Sequence, residues 1–506
     1  MSWPKSLVFA FISGCLLALA FPKIDLSFFA WVGFVPLLWL IQGQTPKRAL
    51  LLGWTAGMGF YLCTVYWVVY TIGLYSNIPP LVAIGPLLMM CAILASYTGL
   101  FAAGLRFAQQ RGGAILFIGP PLWVTCEWLR SFFFIGFPWV NLGYSQHQHL
   151  NLIQFVEFTS VYGLSALVMF VNLVIFISWN STNRRRTQLL ATAVILVLSL
   201  AAWGSWRRSQ IAALPPTRHL RVGLIQGNIP QDTKWHPNAQ EETMVRYERL
   251  TREAVARGAT LVIWPETAAP FFFQADTVPD ATYRERLLQL AVAVKTPILF
   301  GSPAFKLNGT QIALFNRAYL LSPNAEIVDS YDKIQLVPFG EYIPFHRLLF
   351  FLDKLVVGIG DFAAGTEQTV FSLPQAQFSV LICYEGIFPS LTRGFVSRGA
   401  ELLVNITNDA WFGRTSAPYQ HLVMEAMRAV ENRVPLVRAA NTGFSAVVDI
   451  DGRVRSHTNL YETTLLVEDL SWPQVTSFYA TYGDVFVWLC VVSSSLMLGY
   501  SYFRHP

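Results

Sequence analysis

Residues 378–388 read FSVLICYEGIF, an apolar strand-like run that ends on a thiol, Cys383, and a carboxylate, Glu385. A short apolar run bounded by turn residues reads as a buried strand of a layered α/β domain. The other five cysteines, Cys15, Cys63, Cys91, Cys126 and Cys490, lie in long apolar segments, where a cysteine is usually a small buried hydrophobe. Cys383 therefore stands apart, and the question is why a thiol and a carboxylate share one strand end.

Working outward, the block 209–483 alternates short β-rich runs with amphipathic stretches. LRVGLIQGNI (220–229) precedes a helical pattern over 238–257, ATLVIWPET (259–267) precedes another over 281–294, and PILFGSPAF (297–305) and IALFNRAYLLSP (312–323) follow. Beyond the opening stretch come AELLVNITND (400–409), a helical pattern over 418–433, and PLVRAANTGFSAVVDIDG (435–452). The alternation predicts an α/β domain of packed sheet and helix layers.

The rest of the chain has a different character. Hydrophobic residues make up 54% of the sequence and charged residues only 13%, which indicates a membrane protein carrying a soluble part. Eight apolar stretches, near 6–21, 27–43, 49–73, 80–107, 113–134, 158–180, 188–206 and 485–503, read as membrane-spanning helices. The first lacks a small-residue cleavage site and another apolar stretch follows at once, so it reads as a retained helix. The expected organisation is a seven-helix membrane bundle over 1–208, a soluble domain over 209–483 and a final membrane helix over 484–506.

Charge sets the orientation. Residues 209–483 hold 23 Lys and Arg against 26 Asp and Glu, leaving 13 against 4 in the membrane part, so the net +6 reflects topology. Lys5, Lys47, Arg48, Arg106, Arg111, Arg184 to Arg186 and Arg504 fall on one side, which the positive-inside rule makes cytoplasmic. Both termini are then inside and the soluble block outside, on the periplasmic face of a bacterial inner membrane. That block is slightly acidic and has no Lys/Arg stripe among aromatics, which argues against nucleic acid as a partner. The cysteines supply neither a disulfide framework nor a metal-ligand spacing.

Loops of unusual composition follow several predicted strands: WPETAAP (264–270), YDKIQLVPFGEYIPF (331–345), CYEG (383–386) and TNDAWFG (407–413). The segment 341–366 is strongly apolar although outside the membrane, and reads as an arm that guides a lipid or closes as a lid. A cysteine nucleophile needs a base for its proton and a cation or dipole for the transition-state oxyanion. Cys383, Glu266 and Lys333 each close a predicted strand and together supply all three. Taken singly, Glu266 reads equally as a helix cap and Lys333 as a solvated turn residue; their joint occurrence at apolar strand ends favours chemistry.

In chain order, WPET (264–267), DKIQLVPFGEY (332–342) and ICYE (382–385) resemble the Glu, Lys and Cys motifs of the carbon-nitrogen hydrolase (nitrilase) superfamily. GNIPQDTKW (227–235), NDAWFG (408–413) and GFPWVNLGYSQ (136–146), set in a multi-helix membrane frame, resemble the apolipoprotein N-acyltransferase family. The resemblance implies an αββα sandwich in which Glu266 is the base, Lys333 the electrostatic stabiliser and Cys383 the nucleophile. It implies a phospholipid acyl donor, a thioester on Cys383 and a diacylglyceryl-apolipoprotein amine as acceptor, with no cofactor. Glu341, Glu385, Tyr384 and Trp235 match its supporting positions.

Asn316 and Asn408 are polar strand-end candidates that read equally as Asx turns. Trp139 is a candidate lipid contact or an interfacial belt residue, Glu127 is expected to pair with Arg130, and Asp409 and His421 read as structural. A monomer is expected. Two other readings stay open: a membrane-bound amidase that uses water as acceptor, and a lipid-binding or transport protein with an inert soluble domain.

Overall fold

The computed structural model describes residues 2–75, 79–133, 136–308, 311–343 and 361–504. The chain divides into two compact units, one comprising Met1–Gly73, Ile78–Ala212 and Ser477–Pro506, the other Leu74–Asn77 and Ala213–Thr476.

The first unit is all helical. Leu81–Gln110, Val161–Trp179, Asn183–Ala212 and Val485–Phe503 are each long and apolar enough to cross a membrane, and Pro46–Thr64 with Trp67–Leu74, bent by 55°, passes the same test as a pair. Among the described residues this makes four or five spans by length and composition, not the eight expected. The difference lies where apolar composition outruns continuous helix. The stretch 27–43 breaks into Phe28–Val32 and Val35–Ile41, with Pro36 in the first turn of the second piece. Trp3–Ala18 and Ile115–Arg130 each have 16 residues, fewer than the ~20 a straight span needs. Trp3–Ala18 packs backbone to backbone on Pro46–Thr64: a Cβ at Gly14 would sit 1.9 Å from the Ala56 carbonyl oxygen.

Glu127 and Arg130 are both buried here but do not pair as expected. Arg130 donates to the Tyr61 hydroxyl at 2.5 Å, to the Trp139 carbonyl at 3.0 Å and to Asn141, while Glu127 accepts the Leu142 N–H at 2.6 Å. The helical spacing put them on one face; the neighbouring loop 137–142 supplied other partners.

Among the described residues the second unit has twelve strands: β1 Arg218–Gln226, β2 Leu261–Ile263, β3 Ile298–Asn308, β4 Gln311–Leu321, β5 Ile327–Asp332, β6 Phe371–Ser372, β7 Gln377–Ile382, β8 Leu402–Thr407, β9 Leu436–Ala440, β10 Ala446–Val448, β11 Val454–His457 and β12 Thr464–Trp472. They form two six-stranded sheets, ordered β12-β1-β2-β3-β4-β5 and β11-β10-β9-β8-β7-β6. In each, three parallel strands, β1-β2-β3 or β7-β8-β9, are flanked by antiparallel ones. The parallel strands are buried on both faces, as their near-continuous apolar sequence requires.

The sheets face each other through β1 with β9, β4 with β7 and β5 with β6, and helices cover their outer faces. Pro237–Ala256 and Asp280–Val294 pack on the first sheet, with Tyr247, Leu250, Leu287, Leu290, Trp264 and Phe300 in their shared core. Pro389–Ser397 and Ala417–Asn432 cover the second. The result is the αββα sandwich that the resemblance implied. Of the apolar arm expected over 341–366, residues 344–360 lie outside the described residues; near its end Ala363 and Gly365 donate to the carbonyls of Leu314 and Lys333 at 2.7 and 2.8 Å.

Candidate active site

Three strand ends meet. Glu266 follows β2 by three residues, Lys333 immediately follows β5, and Cys383 immediately follows β7. Catalytic groups in α/β folds gather at such ends because a rigid sheet fixes the loop that leaves it.

Cys383 takes up the left-handed backbone conformation, φ 53°, as it starts the 3-10 turn Cys383–Ile387. A non-glycine residue is strained there and needs surroundings that over-determine it. Its carbonyl accepts from Asn405 Nδ2 at 3.1 Å and lies 3.3 Å from His421 Nε2. Glu385 locks the other side. One of its oxygens accepts the Ile382 N–H at 2.7 Å, and the other accepts the Tyr331 hydroxyl and the Ile334 and Gln335 N–H groups at 2.7, 2.7 and 3.0 Å. Glu385 thus ties the loop after β5 to the turn after β7. Burial raises its pKa above the usual carboxylate value, against the pull of these donors and of Lys333.

Lys333 is 1% exposed. Its ammonium donates to Glu341 Oε1 at 2.9 Å and lies 3.6 Å from Glu266 Oε1. Asn316 Nδ2 bridges the two carboxylates, 2.7 Å from Glu266 and 3.1 Å from Glu341. Two acceptors on that atom fix the amide orientation, since only the NH₂ end can donate. Burial opposes charge on Lys333, yet Glu341, Glu266 and Cys383 outweigh it and hold its pKa above the ordinary lysine value. Burial and the facing Glu266 push the Cys383 thiol up, against the pull of Lys333. Burial therefore favours the protonated thiol over the thiolate at Cys383.

The remaining candidates are scattered. Tyr384 is buried edge-on against Phe388, with ring centroids 5.0 Å apart. Trp235 is half-buried in the loop before Pro237–Ala256. Asn408 caps Ala410 and donates to Gln231 Oε1 at 2.6 Å, joining the GNIPQDTKW and NDAWFG loops. In the other unit, Trp139 is buried against Trp67 and Phe137, with centroids 5.1 and 5.5 Å away.

Sequence reasoning passed over Lys234, the residue before Trp235, whose buried ammonium reaches Thr267 Oγ1 at 2.6 Å. It also missed the size of the network behind Cys383. Asp409 and His421 join Glu425 and Arg438 in a fully buried set, with Arg438 donating to Glu425 at 2.7 Å and to Asp409 at 3.0 Å. A helical i, i+4 spacing of His421 and Glu425 was the available signal; the Arg438 partner comes from β9 and no local pattern announces it. Among the described residues no group of three or more His, Cys, Asp or Glu could hold a metal ion.

Residues 221–480 match the carbon-nitrogen hydrolase family model, which makes the sandwich an enzyme domain of that class. Residues 13–174 match the N-terminal domain model of apolipoprotein N-acyltransferase. The apolipoprotein N-acyltransferase of Geobacter metallireducens is 43% identical over 506 residues, covering 99% of this chain and 96% of its own. That of Brucella melitensis biotype 1 is 32% identical over 473 residues, covering 89% and 87%. Among solved structures, an amidase from Nesterenkonia sp. covers 50% of this chain and 91% of its own at 24% identity, with a TM-score of 0.39. The chain belongs to the apolipoprotein N-acyltransferase family.

Proposed function

We propose that the chain moves a fatty acyl group from a membrane phospholipid, through a thioester on Cys383, to the α-amino group of the diacylglyceryl-cysteine that begins an apolipoprotein. The observation that supports this most is one buried ammonium, Lys333 Nζ, held 2.9 and 3.6 Å from two carboxylates and within electrostatic reach of a strained strand-end thiol. Glu266 takes the thiol proton as the sulfur attacks the ester carbonyl. Lys333 stabilises the tetrahedral oxyanion, and Glu266 returns the proton to the departing lysophospholipid oxygen. In the second half, the acceptor amine attacks the thioester, Glu266 receives the amine proton, and the thiol is restored as the amide forms.

Glu341 holds Lys333, Asn316 aligns both carboxylates, and Glu385 fixes the turn that presents Cys383. Tyr384 and Trp235 are the proposed supporting contacts for substrate. A bilayer-embedded unit built from the eight apolar segments, with both termini cytoplasmic and the sandwich on the periplasmic face, brings lipid donor and lipoprotein acceptor to the same surface. The alternation of Lys and Arg between loops supports that orientation.

Mass spectrometry of the full chain incubated with phospholipid tests the reading. A fatty-acyl adduct on the Cys383 peptide is expected, discharged by a diacylglyceryl-cysteine peptide much faster than by water. Absence of the adduct under turnover conditions sinks the thioester route, and discharge by water at the same rate as by the amine favours an amidase instead.

A further inference from the structure

Lys234 lies in the loop between β1 and Pro237–Ala256, yet it is only 1% exposed. Its ammonium donates to Thr267 Oγ1 at 2.6 Å and to the Glu266 backbone oxygen at 3.4 Å; neither partner is a carboxylate. Burying a cation without a direct counter-charge is costly, so such groups tend to persist where they serve a site. Burial brings its pKa down to about 8 against the pull of Glu266, the one charge that sustains it.

The turn it grips is unusual. Thr267 adopts φ 46°, the left-handed region that β-branched residues rarely enter. The turn is also pressed against β3: a Cβ at Gly301 would come within 2.5 Å of Thr267 N and 2.9 Å of Glu266 Cα. The Glu266–Thr267 turn thus packs closely on the Gly301 backbone and is bonded by the Lys234 ammonium.

Charge points the same way. The groups facing Glu266 are Lys333 at 3.6 Å, Glu341 through the shared Asn316 Nδ2, the Cys383 thiol and Lys234. Glu266 and Glu341 against Lys333 alone leave one excess negative charge, and Lys234 balances it.

We infer that Lys234 is a positioning residue for acyl transfer: it holds the strained Glu266–Thr267 turn so that the Glu266 carboxylate faces Lys333 and Cys383, and it sets a positive charge beside that carboxylate. The inference rests on Glu266 being the proton acceptor. Its loop is well placed to hold the lysine, because Asn441 bonds both the N–H and the carbonyl of Ile229 at 2.8 Å, and Gln231 accepts from Asn408.

The test is single-turnover formation of the Cys383 acyl-enzyme by the full chain in phospholipid micelles, measured across pH for Lys234→Met, Lys234→Arg, Thr267→Val and Glu266→Gln. Lys234→Met should slow the step by about 100-fold, the scale of a misplaced catalytic group. Its acid limb should move to higher pH, because removing a facing cation favours the neutral carboxyl. Lys234→Arg, which keeps the charge, should recover part of the rate and the wild-type acid limb. Thr267→Val leaves the ammonium but removes its hydroxyl partner, and should slow the step by about 10-fold with the acid limb unmoved.

A wild-type rate in Lys234→Met overturns the inference, as does equal loss in the Met and Arg variants with an unmoved acid limb. If Lys234→Met does not fold, the Thr267→Val rate alone decides: wild-type speed rejects the tether. Activity retained by Glu266→Gln rejects the base assignment itself, whereas an inactive Glu266→Gln beside a wild-type Lys234→Met rejects only the role of Lys234.

Discussion

The sandwich buries two charge clusters that meet at Cys383, and they are built differently. Behind the residue, Asp409, Glu425, His421 and Arg438 form a closed set: each carboxylate touches both cations, at 2.7 to 3.2 Å. Facing the thiol, Lys333 is close to Glu341 at 2.9 Å but only loosely joined to Glu266, at 3.6 Å. A closed buried ion-pair network fixes geometry, and removing one member leaves an uncompensated charge. The looser hold on Glu266 suits the proton transfer proposed for it. Two buried clusters of similar composition thus differ in closure: the rear one is closed and touches the Cys383 carbonyl, and the one facing its sulfur stays open at Glu266.

The largest expected contrast is between activity and stability. Cys383→Ala and Glu266→Gln should each lower acyl transfer to a lipoprotein peptide, the former on the order of 10⁴-fold or more, with the unfolding midpoint of the full chain in detergent unchanged. Arg438→Met should do the reverse at first order. It leaves Asp409 and Glu425 with only His421 of their two shared cations, and the loss of stability should be about 3–5 kcal/mol, read as a fall in that midpoint. A stable, unperturbed Arg438→Met protein would show that the rear cluster is not the scaffold described.

A smaller effect separates the clusters by pH. Burial opposes charge on His421, but Glu425 and Asp409 outweigh it and raise its pKa to about 9, above the ordinary 6.5. A group whose folded pKa is raised stabilises fully below its unfolded pKa, so the contribution is complete below about pH 6.5 and is lost as pH rises through about 9. The loss should approach about 3 kcal/mol over that window. Asp409, held down at about 2 by Arg438 and His421 despite its burial, titrates far outside it. Thermal unfolding between pH 6 and 10 checks this, and His421→Gln should flatten the curve; an unchanged slope removes His421 as its source.

Much of this was readable beforehand because it is local. The apolar runs that became β2, β7 and β8 are each buried along nearly their whole length, so their continuous hydrophobicity announced them. The helices over 237–256, 280–294 and 417–432 fall within a residue or so of their periodic patterns. The membrane count was less readable, because composition does not reveal where a helix breaks, as at 33–34, or stops short, as at Arg130. The pairing of Glu127 with Arg130 misled for a related reason: spacing places side chains on one face but does not say what the adjoining loop offers them.

The sequence by itself determined the chemistry on offer: one cysteine in the soluble block, with a glutamate and a lysine at other strand ends and a membrane part around it. Those facts need only residue identity and period. Tertiary structure decided the assignments. Glu385, two residues from Cys383 in the chain, turns its oxygens to Ile382, Tyr331, Ile334 and Gln335, while Glu266, more than a hundred residues away, faces Lys333 at the end of another strand of its own sheet. It also buried Lys234 beneath the Glu266 turn and closed the ring of charges behind Cys383. Such contacts join residues distant in sequence, and their strength depends on burial and distance, neither of which a linear pattern encodes.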